Sequence, residues 1–392
     1  MVKAFFVLLI FVSSSLYAQT DSLPYMLLMD EKIQIEATDA VNDMYNFKFE
    51  KAERQFQIFR LKYPEHPLPY FLMGLSTWWR MMPNLEHELD DTKHDEIFVA
   101  YMDTAITFAE KIYDANEKNV EAVFFLAAAH GFKARLYGER SNYARGTFSA
   151  KHALKYLRLM KDNELSPEFL FGEGLYNYYA PWVKENFPLL RPIIILFPNG
   201  DKELGIKQLK QVSYNAFYTR TEAQFWLVRI YTVEEDGKEV LAMPVARYLG
   251  TTFPDNPIFQ RNYARTAYIT HQIGEASVIA TQILQKIEKG MPGYEENAGR
   301  IAAFIMGEYY YGMSDIPKAK EYYNKAIDFA RKINEIHTGY YLWSMARLAA
   351  IAEKEDQGKE ARLYWKQVKK DADKDNKKVK EEAKKNLKKK SK

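Results

Sequence analysis

From Met306 to Ala330 the chain reads MGEYYYGMSDIPKAKEYYNKAIDFA, and this stretch decides the fold. Its second half carries Ala319, Tyr323 and Ala326, spaced four and three apart. That spacing puts all three on one face of a helix. A small residue there lets a partner helix approach closely, and the large residues one and two turns on fill the space beyond the contact. The first half, with Met306-Gly307 and Tyr310, supplies the partner: a small residue followed at helical spacing by an aromatic.

Working outward, the same pattern returns. Ala242, Ala246 and Leu249 lead to Phe253-Pro254, and Ala276, Ala280 and Ile283 repeat the spacing 34 residues later. Ala361, Trp365 and Val368 carry it again, and near the N-terminus so do Ala52, Phe56 and Phe59, closed by Pro64. One helix pair cannot bury its apolar faces alone, so such pairs stack into a continuous core.

These residues resemble the tetratricopeptide repeat. In that family the first helix carries a large aromatic, then Leu-Gly, then Tyr, and the second carries Ala, Phe, Ala and a closing Pro. Trp226 holds the first aromatic position of one unit, with Asp236-Gly237 at its turn. The chain departs from the pattern at Arg229-Ile230, which stand in place of Leu-Gly, and at Pro244, which should shorten or kink a second helix. The resemblance implies an all-α, tetratricopeptide-type helical-repeat solenoid of about 6–8 antiparallel helix pairs, some with long insertions. Regular 34-residue units are expected over residues 223–368 and irregular ones over 31–222, with insertions at 80–97 and 180–202. Upstream, Gly74 opens a pair completed near Ala105, Ala127 one completed near Ala153 and Leu157, and Phe171-Gly172 one completed near Gly205 and Leu209.

In this family first helices line a concave groove, with one residue per turn pointing into it. Carried onto this chain, the resemblance implies Ile258, Arg261, Arg265 and Tyr268 on one helix. It implies Ile301, Phe304, Glu308 and Tyr311 on the next, then Trp343 and Ala346. Two stacked arginines among aromatics suit an acidic or C-terminal peptide segment, with Phe304 and Tyr311 as apolar anchors. The bland alternative is that Arg261 and Arg265 pair with acids such as Glu308 and merely solubilise the groove.

The insertions offer a second reading, a ligand-binding or catalytic module with a pocket over the repeats. Prolines 181, 188, 192 and 198 forbid a regular helix across 180–202, yet Ile193–Phe197 is too apolar for a solvated loop and reads as a buried plug. Residues 86–96 hold two histidines and six carboxylates, but at no recognised metal spacing. No nucleophile elbow or phosphate loop occurs. The chain therefore reads as a protein- or peptide-binding scaffold, not an enzyme, with no catalytic residue, metal or cofactor assigned.

Lys3, the apolar run Ala4–Val12 and the small residues up to Ala18 read as a cleaved signal peptide over 1–18, followed by a short lead over 19–30. With 47% apolar residues a large core needs no disulfide, and the lack of any cysteine excludes both disulfides and a lipid-anchored cysteine. The expectation is an exported protein of the bacterial periplasm or outer envelope. Net charge is +3, but Lys369–Lys392 holds 12 Lys against 5 acids, which leaves a net acidic body. A net acidic body with dispersed basic residues argues against nucleic acid. The tail over 369–392 reads as frayed helix or disorder that solubilises the chain or touches an anionic envelope surface.

Overall fold

The same left-handed residue recurs where helices turn back on one another. Phe47, Ser141, His271, Ser314 and Asp356 all have φ between 55° and 62°. Each lies two residues past the end of a helix, and each is followed by an N–H that reaches back five residues, as in Gln272 N to Ala267 O at 2.8 Å and Asp315 N to Tyr310 O at 2.9 Å. This five-residue reach is the outer bond of a Schellman cap, which satisfies the orphan carbonyls of the helix end and reverses the chain.

A computed structural model describes residues 26–83, 85, 92–160, 165–186, 198–234 and 237–388. Within them the fold is all-helical, an array of antiparallel pairs stacked in order. The pairs are α1 (Glu31–Tyr45) with α2 (Phe49–Lys62), α3 (Pro67–Met81) with α4 (Lys93–Ala115), and α5 (Val120–Glu139) with α6 (Tyr143–Met160). Next come α7 (Leu170–Asn186) with α8 (Lys202–Asn215) and α9 (Arg220–Arg229) with α10 (Glu239–Thr252). The last three are α11 (Pro257–Ile269) with α12 (Ile273–Glu288), α13 (Glu296–Gly312) with α14 (Ile316–Lys332), and α15 (Gly339–Lys354) with α16 (Gly358–Asp371). Odd-numbered helices are the first helices of their pairs, and several also touch the next first helix, as α3 does α5 and α13 does α15. The fold is thus the all-α helical-repeat solenoid expected.

The second-helix pattern is the packing set it was read to be. Ala276, Ala280 and Ile283 are fully buried, as are Ala319, Tyr323 and Ala326. The units are less regular than the sequence reading held. Ala242 to Ala276 is 34 residues, but Ala276 to Ala319 is 43 and Ala319 to Ala361 is 42, because α13 and α14 are each 17 residues long. Upstream, the late-completed pairs are long helices, since α4 has 23 residues and α5 has 20.

Two prolines sit within helices. Pro181 does not end α7, which continues to Asn186, and Gly200 packs so close to the carbonyl of Asn177 that a Cβ there would lie 2.5 Å from it. Pro244 likewise sits inside α10 without breaking it. The Ile193–Phe197 plug, the signal peptide and residues 86–91 lie outside the described residues. The tail also differs from expectation. Residues Lys377–Lys388 form a further helix, α17, with Val379 and Ala383 buried and Leu387 packed on the last pair. Val379, Ala383 and Leu387 are four apart, so one apolar stripe docks while the lysines face outward.

The array coils until its early pairs touch its later ones. Asn256 caps the N-terminus of α11, accepting from Ile258 N and Phe259 N at 2.9 and 3.0 Å. Its amide also donates to the carbonyl of Tyr45 at 2.7 Å, and Asp255 N donates to Asn46 at 2.8 Å. Gly293 has φ 75°, and a Cβ there would press on Phe47, Pro83 and Pro257, so this crossing point admits only glycine. Around it Tyr45, Trp79, Phe225, Phe253 and Phe259 interlock, with Trp79 and Phe259 ring centroids 5.2 Å apart.

Two outcomes follow for stability. A Cβ on Gly307 would lie 2.6 Å from the Tyr323 ring, which is wholly buried and tied by its hydroxyl to Glu308 at 2.7 Å. Gly307→Ala should therefore destabilise the seventh pair by roughly 1–3 kcal/mol, read by denaturant unfolding. Truncation before Lys377 should lower the thermal midpoint by uncovering Val379's contacts, a loss of roughly 2 kcal/mol. An unchanged midpoint would mean that α17 adds nothing to the core.

Candidate functional site

Arg261 and Arg265 are four apart on α11 and share its inward face. They line a cavity of about 220 Å³ together with Arg135 of α5, Arg229 of α9 and Arg300 of α13. Its helical lining comes wholly from first helices, joined by Met82 and Leu85 after α3 and by Thr232 and Val233 after α9. Among the described residues, first helices therefore supply the helical wall of this cavity.

Five guanidinium groups meet there, and Glu139 is the one carboxylate of the lining among the described residues. Further acids stand behind the wall: Glu234 lies 3.3 Å from Arg229 and Glu335 3.9 Å from Arg300, while Glu139 is 3.9 Å from Arg135. Arg300 is held by Asn297 Oδ1 at 3.0 and 3.2 Å and by Thr338 at 3.0 Å. Arg265 donates to the carbonyl of Thr232 at 3.3 Å. That carbonyl is in reach because α9 ends in a π-turn over Ile230–Glu234, which swings Thr232 inward.

Arg135 is sandwiched between Trp78 and Trp226, its Cζ 4.7 and 4.6 Å from the two ring centroids. Burial, and then the neighbouring charge of Arg229, push its pKa below the ordinary arginine value. Stacked arginine is the cation that tolerates such a site, because its charge is delocalised and weakly hydrated.

The other expected groove residues divide. Tyr268, Glu308 and Tyr311 form a separate cluster further along, where Glu308 accepts from Arg347 at 2.6 and 3.0 Å, from Tyr323 and from Tyr268 at 3.1 Å. Burial raises the Glu308 carboxyl, but the hydrogen bonds from Arg347, Tyr323 and Tyr268 outweigh it and hold the pKa below normal. Glu308 is thus committed to Arg347. Tyr311 accepts from Lys354 at 2.8 Å. Phe304, expected as an anchor, is buried between Tyr268, Tyr323 and Tyr340 and is unavailable; Ile258, Ile301 and Ala346 are also buried. Trp343 is half-buried against the last core cluster.

Arg135, Arg229 and Arg300 were not anticipated. Arg229 was visible only as a departure from the repeat consensus, and the same register applied to α5 would have pointed to Arg135. In the acidic insertion, Asp95 is bound by Arg140 at 2.8 and 3.0 Å.

A second cavity, of about 320 Å³, opens on the other side of Arg135. Leu72, Leu75, Phe124, Phe132, Leu157 and Leu175 give it apolar walls, and Gly131, where a Cβ would meet nothing within 4 Å, leaves it open. Glu222 borders it, wholly buried, taking Trp79 Nε1 at 2.6 Å and Tyr45 Oη at 3.4 Å on one oxygen while the other has no partner among the described residues. Burial pushes its pKa up to about 7, against the smaller lowering effects of Trp79, Arg135 and Tyr45.

No family model matches the chain, and no curated protein does. Among solved structures it is similar to the yeast protein Tom70, at 11% identity and a TM-score of 0.23, over 91% of this chain and 96% of that one.

The Glu222 carboxyl predicts a pH effect. Its ordinary pKa is 4.5 and its folded value about 7, so between those limits the folded chain keeps a proton that the unfolded chain has lost. Its contribution to stability therefore falls as pH rises through that window and is flat above it. Relative to Glu222→Gln, the wild type should lose about 3 kcal/mol between pH 4.5 and 7. Unfolding both proteins across that range checks it.

Proposed function

We propose that the chain is a binding scaffold that holds an acidic protein segment, or a peptide's terminal carboxylate, in the groove between its first helices. The observation that carries this reading is the convergence of Arg135, Arg229, Arg261, Arg265 and Arg300 on one cavity, with Glu139 as its one carboxylate among the described residues. Guanidinium forks match carboxylates in two-pronged hydrogen bonds, and they sit on rigid helices rather than on loops.

The segment at Lys3–Ala18 supports placing this scaffold outside the cytoplasm, in a bacterial periplasm or at the outer envelope. There the outward lysines of α17 would add weak attraction to anionic surfaces, screened within about 10 Å at ordinary salt. No described helix is long and apolar enough to cross a membrane.

Fluorescently labelled oligoglutamate with a free C-terminus is a suitable probe. It should bind the wild type with an affinity that falls steeply with salt. Arg261→Glu/Arg265→Glu should weaken binding at least tenfold while leaving the circular dichroism spectrum unchanged, since a hydrogen bond to a charged group contributes about 1.5–3 kcal/mol. Undiminished binding by the folded double variant would move the site elsewhere.

A further inference from the structure

Arg135 belongs to both cavities. Its guanidinium, held between Trp78 and Trp226, closes one end of the arginine groove and one end of the apolar chamber. The chamber in turn shares Gly131, Ala153, Leu157, Tyr176 and Tyr179 with a further apolar cavity between α5, α6 and α7. An apolar passage thus leads away from a cluster of cations.

We propose that this passage and the arginine groove form one site for a single-chain aliphatic anion, its hydrocarbon chain in the chamber and its headgroup on the arginines. The inference rests on the preceding reading only for the anion-binding character of the groove. Two observations support the chain. The first is that the chamber is left open at Gly131, where a larger apolar residue would fit: a Cβ there would meet nothing within 4 Å. Close-packed interiors rarely keep such voids, because each lowers stability. An open apolar chamber beside a few convergent polar groups is the usual form of a small-ligand site.

The second observation excludes a peptide from the chamber. Every peptide unit brings an N–H and a C=O that must be satisfied when buried. The chamber offers almost nothing for them. Thr219 is committed to Glu168 at 2.6 Å, Tyr179 to Glu234 at 3.0 Å, and Tyr176 to the carbonyl of Pro198. Among the wholly buried polar atoms of the described residues that border it, only Glu222 Oε2 and the Tyr218 hydroxyl lack partners. A hydrocarbon chain makes no such demand, and the headgroup meets the arginines where they already converge.

The test uses the full chain after export and calorimetric titration with alkanoates of 10 to 14 carbons, tetradecyl phosphate and tetradecanol. Affinity should fall about fourfold for each methylene removed from the alkanoate. Tetradecanol should bind at least tenfold more weakly than tetradecanoate; comparing the carboxylate with the phosphate then tells which headgroup the arginines prefer. Gly131→Leu, which projects a side chain into the junction of the two apolar cavities, should abolish alkanoate binding, and Gly131→Ala should reduce it less. Both replace a mid-helix glycine with a better helix former, so their thermal midpoints should not fall. Gly131→Leu should still bind oligoglutamate. Alkanoate binding that is absent, independent of chain length, or unaffected in a folded Gly131→Leu protein overturns this inference. Alkanoate binding without oligoglutamate binding would overturn only the peptide-scaffold reading.

Discussion

The buried carboxylate of Glu222 is the point on which the shape of the molecule turns. It belongs to the fifth pair, yet its partners, Tyr45 and Trp79, come from the first and second. A solenoid of local pairs has no intrinsic need to close, since each unit buries its apolar face on its neighbours alone. Here a hydrogen-bonded acid inside an aromatic cluster joins distant units. The Asn256 amide, which caps α11 and also reaches the Tyr45 carbonyl, does the same one pair further on. Buried polar groups of this kind demand their partners, because each would be left unsatisfied if the coil opened.

That closure brings the cations together. Arg135, Arg229, Arg261 and Arg300 lie on four different first helices, and they face one space only because the coil is tight. Their mutual repulsion is met in part by acids behind the wall and in part by aromatic rings. Arg135 lies on two tryptophans, and Arg229 is 5.7 Å from the Trp226 ring. A lysine could not replace Arg135 on those terms, being a compact, strongly hydrated charge with no flat face to stack.

Local packing was legible in the sequence and long-range convergence was not. The Ala-x₃-large-x₂ pattern of the second helices reports contact with the nearest helix, so Ala276, Ala280 and Ile283 could be placed on the core face from spacing alone. The expected groove residues depended on an added step, that first helices line the concave side. That step served Arg261 and Arg265 but misplaced Phe304, which a neighbouring first helix covers through Tyr340. Composition misled at the tail, where lysines hid the stripe Val379, Ala383 and Leu387.

The departure from the consensus at Arg229-Ile230 carries more meaning than the matches do. A Leu-Gly pair there would have served helix packing alone. Instead α9 stops at Arg229 and continues as a π-turn that widens the backbone and brings the Thr232 carbonyl within reach of Arg265. Local rules tend to be broken where function needs something else, and π-turns persist because the inserted residue re-aims side chains at a site. The same stretch carries Trp226, which stacks on Arg135, and lies one turn from Glu222, which closes the coil. Within three turns of chain, α9 supplies the clasp, the aromatic platform and one of the cations. The inner wall changes from apolar to cationic across Arg135 because this one helix faces both cavities, with Glu222 and Trp226 towards the chamber and Arg229 towards the groove.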